Sequence, residues 1–318
     1  MADILIITPG PRHSRNGNRV TAVRWSKILR ALGHSVRIAE NYERGSADLL
    51  VALHAFKSST AVRRFACQHP NRPIVLALTG TDLYSDIHTK QSAQHSLGLA
   101  TRLLLLEPNG VDQLPEHLRE RVQVIYQSAE PPRHPSPPLS RVFEACLAAH
   151  LRAVKDPLRA AMAARRLPVD SSIRVTHVGG ALTPAYERRA QQETDTNPRY
   201  RWLGEQPHWR ARRLIARSRL LVLTSKTEGA PSVISEALAA DTPIVATCIP
   251  STRGLLGDDY SGFFEVGDTR ALASLMRQCE IDPRFYKQLR AECRQRSRLV
   301  KPAREIACWR KLIQETTQ

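Results

Sequence analysis

The sequence predicts an α/β protein made of two parallel-sheet halves, and three observations carry that reading. Short all-apolar runs alternate with amphipathic helical stretches along almost the whole chain, the rhythm of β-α-β units whose strands are covered on both faces. A stretch with five prolines in eight residues, 131–138, interrupts the alternation, and it continues neither a helix nor a central strand. Beyond it, the apolar run Leu220–Leu223 leads through a short turn into Glu228-Gly229-Ala230-Pro231-Ser232-Val233-Ile234-Ser235-Glu236. Such a strand–turn–helix passage lies where open α/β sheets bind ligands, outside the carboxyl ends of the strands.

In chain order, residues 3–8 read as a first buried strand, too short and wrongly flanked for a signal peptide. Residues 19–32 form an amphipathic helix with Val20, Val23, Ile28, Leu29 and Leu32 inward, closed by Gly33-His34. Further strands are expected at Ser35–Ala39, Asp48–Leu53, Ile74–Leu78, Thr101–Leu106 and Val122–Tyr126. The proline-rich segment is expected to act as a semi-extended interdomain linker over 133–140. The second half repeats the pattern with strands Val142–Ala148, Ile173–Val178, Arg201–Leu203, Leu220–Leu223 and Ile244–Ala246. Its helices are expected at 156–166, 208–217, 231–240, 269–280 and 284–296. A last helix, Ala303–Glu315, carries Ile306, Trp309, Leu312 and Ile313 on one face.

With 318 residues the chain can form two domains of about 150 residues, each with its own core. Its 42% hydrophobic and 24% charged content is that of an ordinary globular protein. No apolar run approaches the roughly 18–20 residues that span a bilayer, so no stable membrane association is expected. The six cysteines are scattered without a Cys-x-x-Cys pair or a zinc-like histidine spacing. They read as reduced packing residues of a cytoplasmic protein with no metal site. The net charge of +17 divides as +6 over residues 1–150 and +11 over 151–318. No nucleic-acid-binding signature accompanies it and aromatics are 5%, so a solvated arginine-rich surface is favoured over a nucleic-acid footprint.

The chemistry concentrates in the Glu228–Glu236 passage. Pro231 suits the first helical position, where its missing N–H costs nothing. The free amides of residues 230–233 then offer an anion site at the helix start. Glu228 before the helix and Glu236 within its second turn bracket that site, which suits a ligand with hydroxyls at both ends and phosphates between them. A nucleotide sugar is such a ligand. On spacing alone an ordinary helix start fits equally well, with acids complementing the dipole and Ser232 and Ser235 as capping residues.

Two Rossmann-like halves with Glu-x7-Glu after a strand of the second resemble the GT-B glycosyltransferases, most of all the retaining family 4 type. Leu32–Val36, Thr79–Leu83 and Ala239–Val245 add to the likeness, which covers almost the whole chain. A narrower resemblance, to the selenosugar synthases of selenoneine biosynthesis (SenB-type), rests on Gly17–Trp25, Asp48–Ala55, Ala77–Tyr84, His150–Pro157 and Gly254–Tyr260. The resemblance implies an α/β GT-B fold, two Rossmann-like domains facing a central cleft. An acceptor-binding domain would span 1–132, a nucleotide-sugar-binding domain 141–300, and a helix over 301–318 would cross back to the first domain. It implies a UDP-sugar co-substrate, UDP-GlcNAc or UDP-glucose, with no other cofactor. The acceptor would be selenophosphate, whose selenium joins the anomeric carbon while UDP and phosphate leave. An ordinary GT-B enzyme with a sugar, lipid or small-molecule acceptor is the alternative.

Carried over residue by residue, the resemblance puts Arg152 and Lys155 on the donor diphosphate, where fixed cations would stabilise the leaving charge without a metal. A solvated start to the helix at 156–166 is their other reading. Glu236 matches the ribose-diol position and Glu228 the one that contacts sugar hydroxyls. Gly229, Ala230, Pro231, Ser232 and Val233 line the diphosphate or sugar, and Leu203-Gly204 falls where the base-binding turn lies. Trp202 is either core or a stacking platform. The family's Gly-Arg before this segment is Ala149-His150 here, which leaves open the cation that replaces the arginine. On the acceptor side Asn16, Gly17, Asn18 and Arg19, expected between the first strand and first helix, are either an anion cradle or a tight connection. Lys57 is a second cation, Thr81 and Asp82 follow the strand at 74–78, and Asp82 either orients substrate or caps a helix. His54 and His13 are acid–base candidates or structural histidines. An anionic selenium nucleophile needs positioning, by Arg19 and Lys57, more than proton removal.

Overall fold

The computed structural model describes residues 1–13, 17–132 and 136–316. Among these the strands form two six-stranded sheets in which neighbouring strands are parallel. The first contains β1 (Asp3–Ile7), β2 (Ser35–Ala39), β3 (Leu49–Leu53), β4 (Ile74–Leu78), β5 (Arg102–Leu105) and β6 (Val122–Val124), in the order β2-β1-β3-β4-β5-β6. The second contains β7 (Phe143–Ala148), β8 (Ile173–Val178), β9 (Tyr200–Trp202), β10 (Leu220–Leu223), β11 (Ile244–Thr247) and β12 (Phe263–Phe264), in the order β12-β11-β10-β7-β8-β9. Tertiary contacts divide the chain into one unit of Met1–Gln127 with the segment from Pro302, and a second of Ser128–Lys301. Residues 136–140 of the expected linker belong to the second unit, and 133–135 lie outside the described residues.

In the first unit β3 and β4 are buried at every position, as expected of strands covered on both faces. Leu5 and Ile7 of β1 point into one layer with Val62, Phe65, Ala93 and Leu97; Ile4 and Ile6 alternate to the other side. The helix Gly17–Ala31 buries Thr21, Ala22, Trp25, Ser26 and Leu29. This corrects the expected inward face: Val20 is 52% exposed, and Val23, Ile28 and Leu32 are half-buried. Trp25 sets the rotation, because one buried indole outweighs the partly covered Val23 and Ile28.

Trp25 meets Trp309 of the helix Pro302–Thr316 edge to face, with ring centroids 4.9 Å apart. Glu305 lies on the buried stripe of that helix, where Ile306 is only half-buried. Its carboxylate accepts the Trp25 indole N–H at 3.2 Å and lies 3.8 Å from the Arg24 guanidinium. A charge on the apolar face is thus held by a donor and a cation.

The second unit has its own differences from the sequence pattern. The helix expected at 156–166 is the shorter Arg159–Ala164, and a single 3-10 turn, Ala153–Lys155, lies before it. Asp156 at φ +43° separates them. Helix Pro184–Thr196 buries only Ala190, so no apolar period announces it; its local signal is Thr183, whose side chain caps the Tyr186 amide, with Pro184 following.

Trp309→Ala removes the fully buried partner of Trp25. The unfolding free energy is expected to fall by about 3–5 kcal/mol, measured by urea unfolding, with Trp25 emission shifted to the red.

Candidate functional site

Numbered within its own sheet, the second unit has the strand order 3-2-1-4-5-6, which reverses between β7 and β10. The crevice of a doubly wound sheet opens at that reversal, beyond the carboxyl ends. The two segments that leave the sheet there are Ala149–Lys155 after β7 and Thr224–Pro231 after β10, which hold most of the donor residues the sequence points to.

Backbone bonds join these segments. The Lys226 amide donates to the Val154 carbonyl at 2.8 Å, and Thr224 Oγ1 donates to the carbonyls of Lys155 (2.9 Å) and Asp156 (3.0 Å). That bonding fits the left-handed turn at Asp156, whose carboxylate binds Arg159 at 2.7 Å. The 3-10 turn ends here, and Lys155 is turned toward the Thr224–Pro231 segment. Its ammonium pairs with Glu228, which also accepts Ser225 Oγ at 2.5 Å. Lys155 and Glu228 keep only 18% and 9% of their side-chain surface exposed. Arg152 sits beside them, extended and exposed, and its side chain makes no hydrogen bond or ion pair among the described residues.

Helix Ser232–Ala239 starts one residue later than expected. Pro231 is its N-cap at φ −71°, ψ 112°, not its first helical residue. The Pro231 carbonyl takes the Ile234 amide at 3.0 Å. The amides of Gly229, Ala230, Ser232 and Val233 donate to no group among the described residues, so the helix start keeps N–H groups available to an anion. Glu236, one turn along and 12% exposed, accepts His208 Nε2 at 2.7 Å. His208 was not among the residues drawn from the sequence; it lies 28 positions away, on the helix His208–Arg217.

The ends of β7, β8 and β9 meet at a glycine crossing that sequence reasoning also missed. Gly179 follows β8 at φ +150°, and a Cβ there would sit 1.9 Å from the Ala149 carbonyl oxygen. Its amide donates to the Gly204 carbonyl (2.9 Å), and its own carbonyl accepts the Trp202 indole N–H (2.8 Å). Trp202 is therefore a brace rather than a free platform. Gly180 donates to His150 Nδ1 at 3.1 Å, so His150 secures this loop. Leu203 pairs with His177 through its amide, and Gly204 turns at φ +69°. The signal available in the sequence was Gly179-Gly180 directly after an apolar strand.

His177 fastens the strand ends from below. It is fully buried, with Nε2 2.9 Å from the Ala149 carbonyl and Nδ1 2.7 Å from the Tyr200 hydroxyl. A carbonyl only accepts, so Nε2 carries the proton and Nδ1 accepts from Tyr200. Burial pushes the imidazole pKa down to about 4.

The first sheet reverses its order between β1 and β3, and the acceptor candidates gather around that point. Gly17, Asn18 and Arg19 form the first turn of the helix Gly17–Ala31, not a loop before it; Asn16 lies outside the described residues. Asn18 Oδ1 accepts Thr79 Oγ1 at 2.6 Å, which ties the helix start to the segment after β4. His54 follows β3 at φ +75°, 2% exposed. Asp82 is fully buried and accepts the amides of Ala55 (2.9 Å) and Gly80 (2.8 Å). His54 lies 3.9 Å from Asp82 and 3.8 Å from Asp86. Burial is the larger influence on both, raising the Asp82 carboxyl pKa and lowering that of His54. Asp82 thus binds two loops together, while Lys57, Thr81 and His13 are exposed.

Two outcomes test this geometry. A His177 pKa near 4 against about 6.5 unfolded means the unfolded chain binds the extra proton between those values. Stability is therefore expected to fall by about 3 kcal/mol as pH drops from 6.5 to 4, with a shallower fall in His177→Gln, read from denaturant midpoints along a pH series. Gly179→Ala drives a methyl into the Ala149 carbonyl; a loss of about 1–3 kcal/mol or more is expected by thermal unfolding.

A profile of the family described as "Glycosyl transferases group 1" matches residues 140–299, half of the chain. No curated protein sequence matches the chain. Among solved structures, HepE (Alr3699) of Anabaena, crystallised with UDP and glucose, is similar at 17% identity and TM-score 0.75, covering 99% of both chains. Sucrose-phosphate synthase of Thermosynechococcus elongatus is similar at 16% identity and TM-score 0.77, covering 98% of both. A glycosyltransferase of Rickettsia africae has 13% identity and TM-score 0.76, covering 99% of this chain and 98% of that one. Two parallel-sheet Rossmann-like units with these neighbours make the fold GT-B. With half of its length matched by the family profile, the chain belongs to the glycosyl transferases group 1 family.

Proposed function

We propose that this glycosyltransferase takes a UDP-sugar as donor and joins its anomeric carbon to the selenium of selenophosphate. The observation that carries the donor half is the grouping of Lys155, Glu228, Glu236 and the unbonded amides of Ser232 and Val233 at one strand-order reversal. HepE has been crystallised with UDP and with UDP-glucose, which supports the same donor class here.

In this reading the amides of Ser232 and Val233, with Arg152 and Lys155, receive the diphosphate. Glu236 holds the ribose diol, and Glu228 exchanges its bond to Lys155 for sugar hydroxyls. Leu203-Gly204 receives the base through backbone groups. The bond from the anomeric carbon to the β-phosphate oxygen breaks with its electron pair on oxygen. Fixed N–H dipoles and cations stabilise that charge as it develops. Selenium supplies the pair for the new carbon–selenium bond, and water then cleaves selenium from phosphorus to release phosphate. The acceptor half rests on the resemblance of Gly17–Trp25 and Ala77–Tyr84 to selenosugar synthases. Arg19, Lys57 and Thr81 bind the selenophosphate oxygens, while Asp82 and His54 hold the loops that carry them.

The test incubates the protein with UDP-GlcNAc or UDP-glucose, with and without selenophosphate, and follows UDP and the sugar–selenium product. Selenophosphate-dependent UDP release is expected. Release indifferent to selenophosphate, or restored only by a hydroxyl acceptor, instead selects an ordinary O-glycosyltransferase. Lys155→Ala and Glu236→Ala are each expected to lower kcat/KM by about 100-fold or more with unchanged circular dichroism; near-normal rates reject the donor assignment.

A further inference from the structure

One face of the second sheet is charged where its architecture calls for apolar residues. β7 and β8 are inner strands, and the inner strands of a doubly wound sheet are normally apolar on both sides. Here Glu144 of β7 lies in register with Arg174 of β8, and Thr176 of β8 with Arg201 of β9. Glu144 is 2% exposed and is fully used: it accepts both guanidinium bonds of Arg217 (2.9 and 2.8 Å) and the Thr176 hydroxyl (2.8 Å). Arg174 and Arg201 are exposed and make no side-chain hydrogen bond or ion pair among the described residues.

The helix His208–Arg217 covers this face only in part. Two adjoining cavities of about 450 and 360 Å3 lie along it, sharing Leu203 and Arg217 as walls. Arg210 and Arg213 line the first cavity, Arg174 and Arg201 the second. Glu144 is the one carboxylate among their lining residues, and Arg217 already neutralises it. Both cavities touch the donor candidate Leu203 at the carboxyl end of β9, but Glu144, Arg174, Thr176 and Arg201 of the second lie along the sheet face. Arg210 donates to Gln206 Oε1 at 3.2 Å and Arg213 to Ser136 Oγ at 2.9 Å, so the forks with no protein acceptor among the described residues are those of Arg174 and Arg201. Such forks are matched to phosphate oxygens, and a space of this size suits one small molecule.

We propose that this groove is a second anion site, which takes a compact, multiply charged phosphate compound of the pyrophosphate or sugar-phosphate class. Arg174 and Arg201 on the sheet supply the recognition, and Arg210 and Arg213 on the helix add positive charge along the adjoining cavity. Glu144 and Thr176 form the polar floor that holds Arg217 flat.

The probe is inorganic pyrophosphate, titrated calorimetrically into the full-length protein already saturated with UDP, at low ionic strength. A binding event is expected to survive UDP saturation and to weaken as salt is added. It is expected to lose roughly tenfold in affinity for each arginine removed in Arg174→Gln, Arg201→Gln and the double variant, with circular dichroism unchanged. No event in the UDP-saturated protein, or equal affinity in the double variant, overturns the proposal. So does tighter binding of a single-stranded oligonucleotide that the double variant abolishes, which makes the face a nucleic-acid surface. The proposal does not rest on the UDP-sugar reading: if UDP fails to bind, the double variant's response to pyrophosphate still decides it.

Discussion

A parallel sheet can open a crevice at its carboxyl edge only where the order of its strands reverses, because elsewhere successive connections fall on the same side and close the edge. In the second unit that reversal lies between β7 and β10. The segments leaving those two strands diverge, and everything arranged around the site depends on keeping them at a fixed separation. The Lys226 amide on the Val154 carbonyl and Thr224 Oγ1 on two successive carbonyls do this at the backbone. The pairing of Lys155 with Glu228 does it with charge. These two charges are nearly buried, and each is the other's compensation. An anion and a hydroxyl-bearing ligand would offer each of them a replacement partner.

Behind the crevice the strand ends are held by groups with little latitude. Gly179 passes so close to the Ala149 carbonyl that no side chain fits, and the neutral His177 spans β7, β8 and β9 through one donor and one acceptor. If Leu203-Gly204 receives the base as we propose, it requires such support, since a turn that reads its ligand through backbone groups transmits any displacement of its strand to the ligand. The first unit uses a different brace with the same effect: Asp82, fully buried, gathers the amides that follow β3 and β4. Residues that looked like substrate ligands in the sequence divide there into exposed groups and buried braces.

What could be read from the sequence was set by the range of the interactions involved. The apolar runs of β3, β4 and β10 were legible because burial on both faces leaves a continuous hydrophobic signal. Helix Pro184–Thr196 and the two-residue β12 were not, because neither carries enough buried side chains to form a period. The rotation of Gly17–Ala31 was misjudged for a related reason: Val20 and Leu29 are equally apolar in sequence, and only the Trp25–Trp309 contact chooses between faces.

The sequence by itself determined the alternation of strand and helix, the Glu228–Glu236 passage with its anion-ready helix start, and the family resemblance that these residues carry. Those features are local, since propensity, capping and apolar period act over a few residues. The tertiary structure decided which side chains share a site. It paired Lys155 with Glu228 across 73 positions and His208 with Glu236 across 28. It put a left-handed turn at Asp156 and started the helix at Arg159, moved Pro231 to the cap, and brought Arg174 and Arg201 of the sheet beside Arg217 of the covering helix. Strand order and register bring distant segments together, and neither leaves a mark in the spacing of residues along the chain.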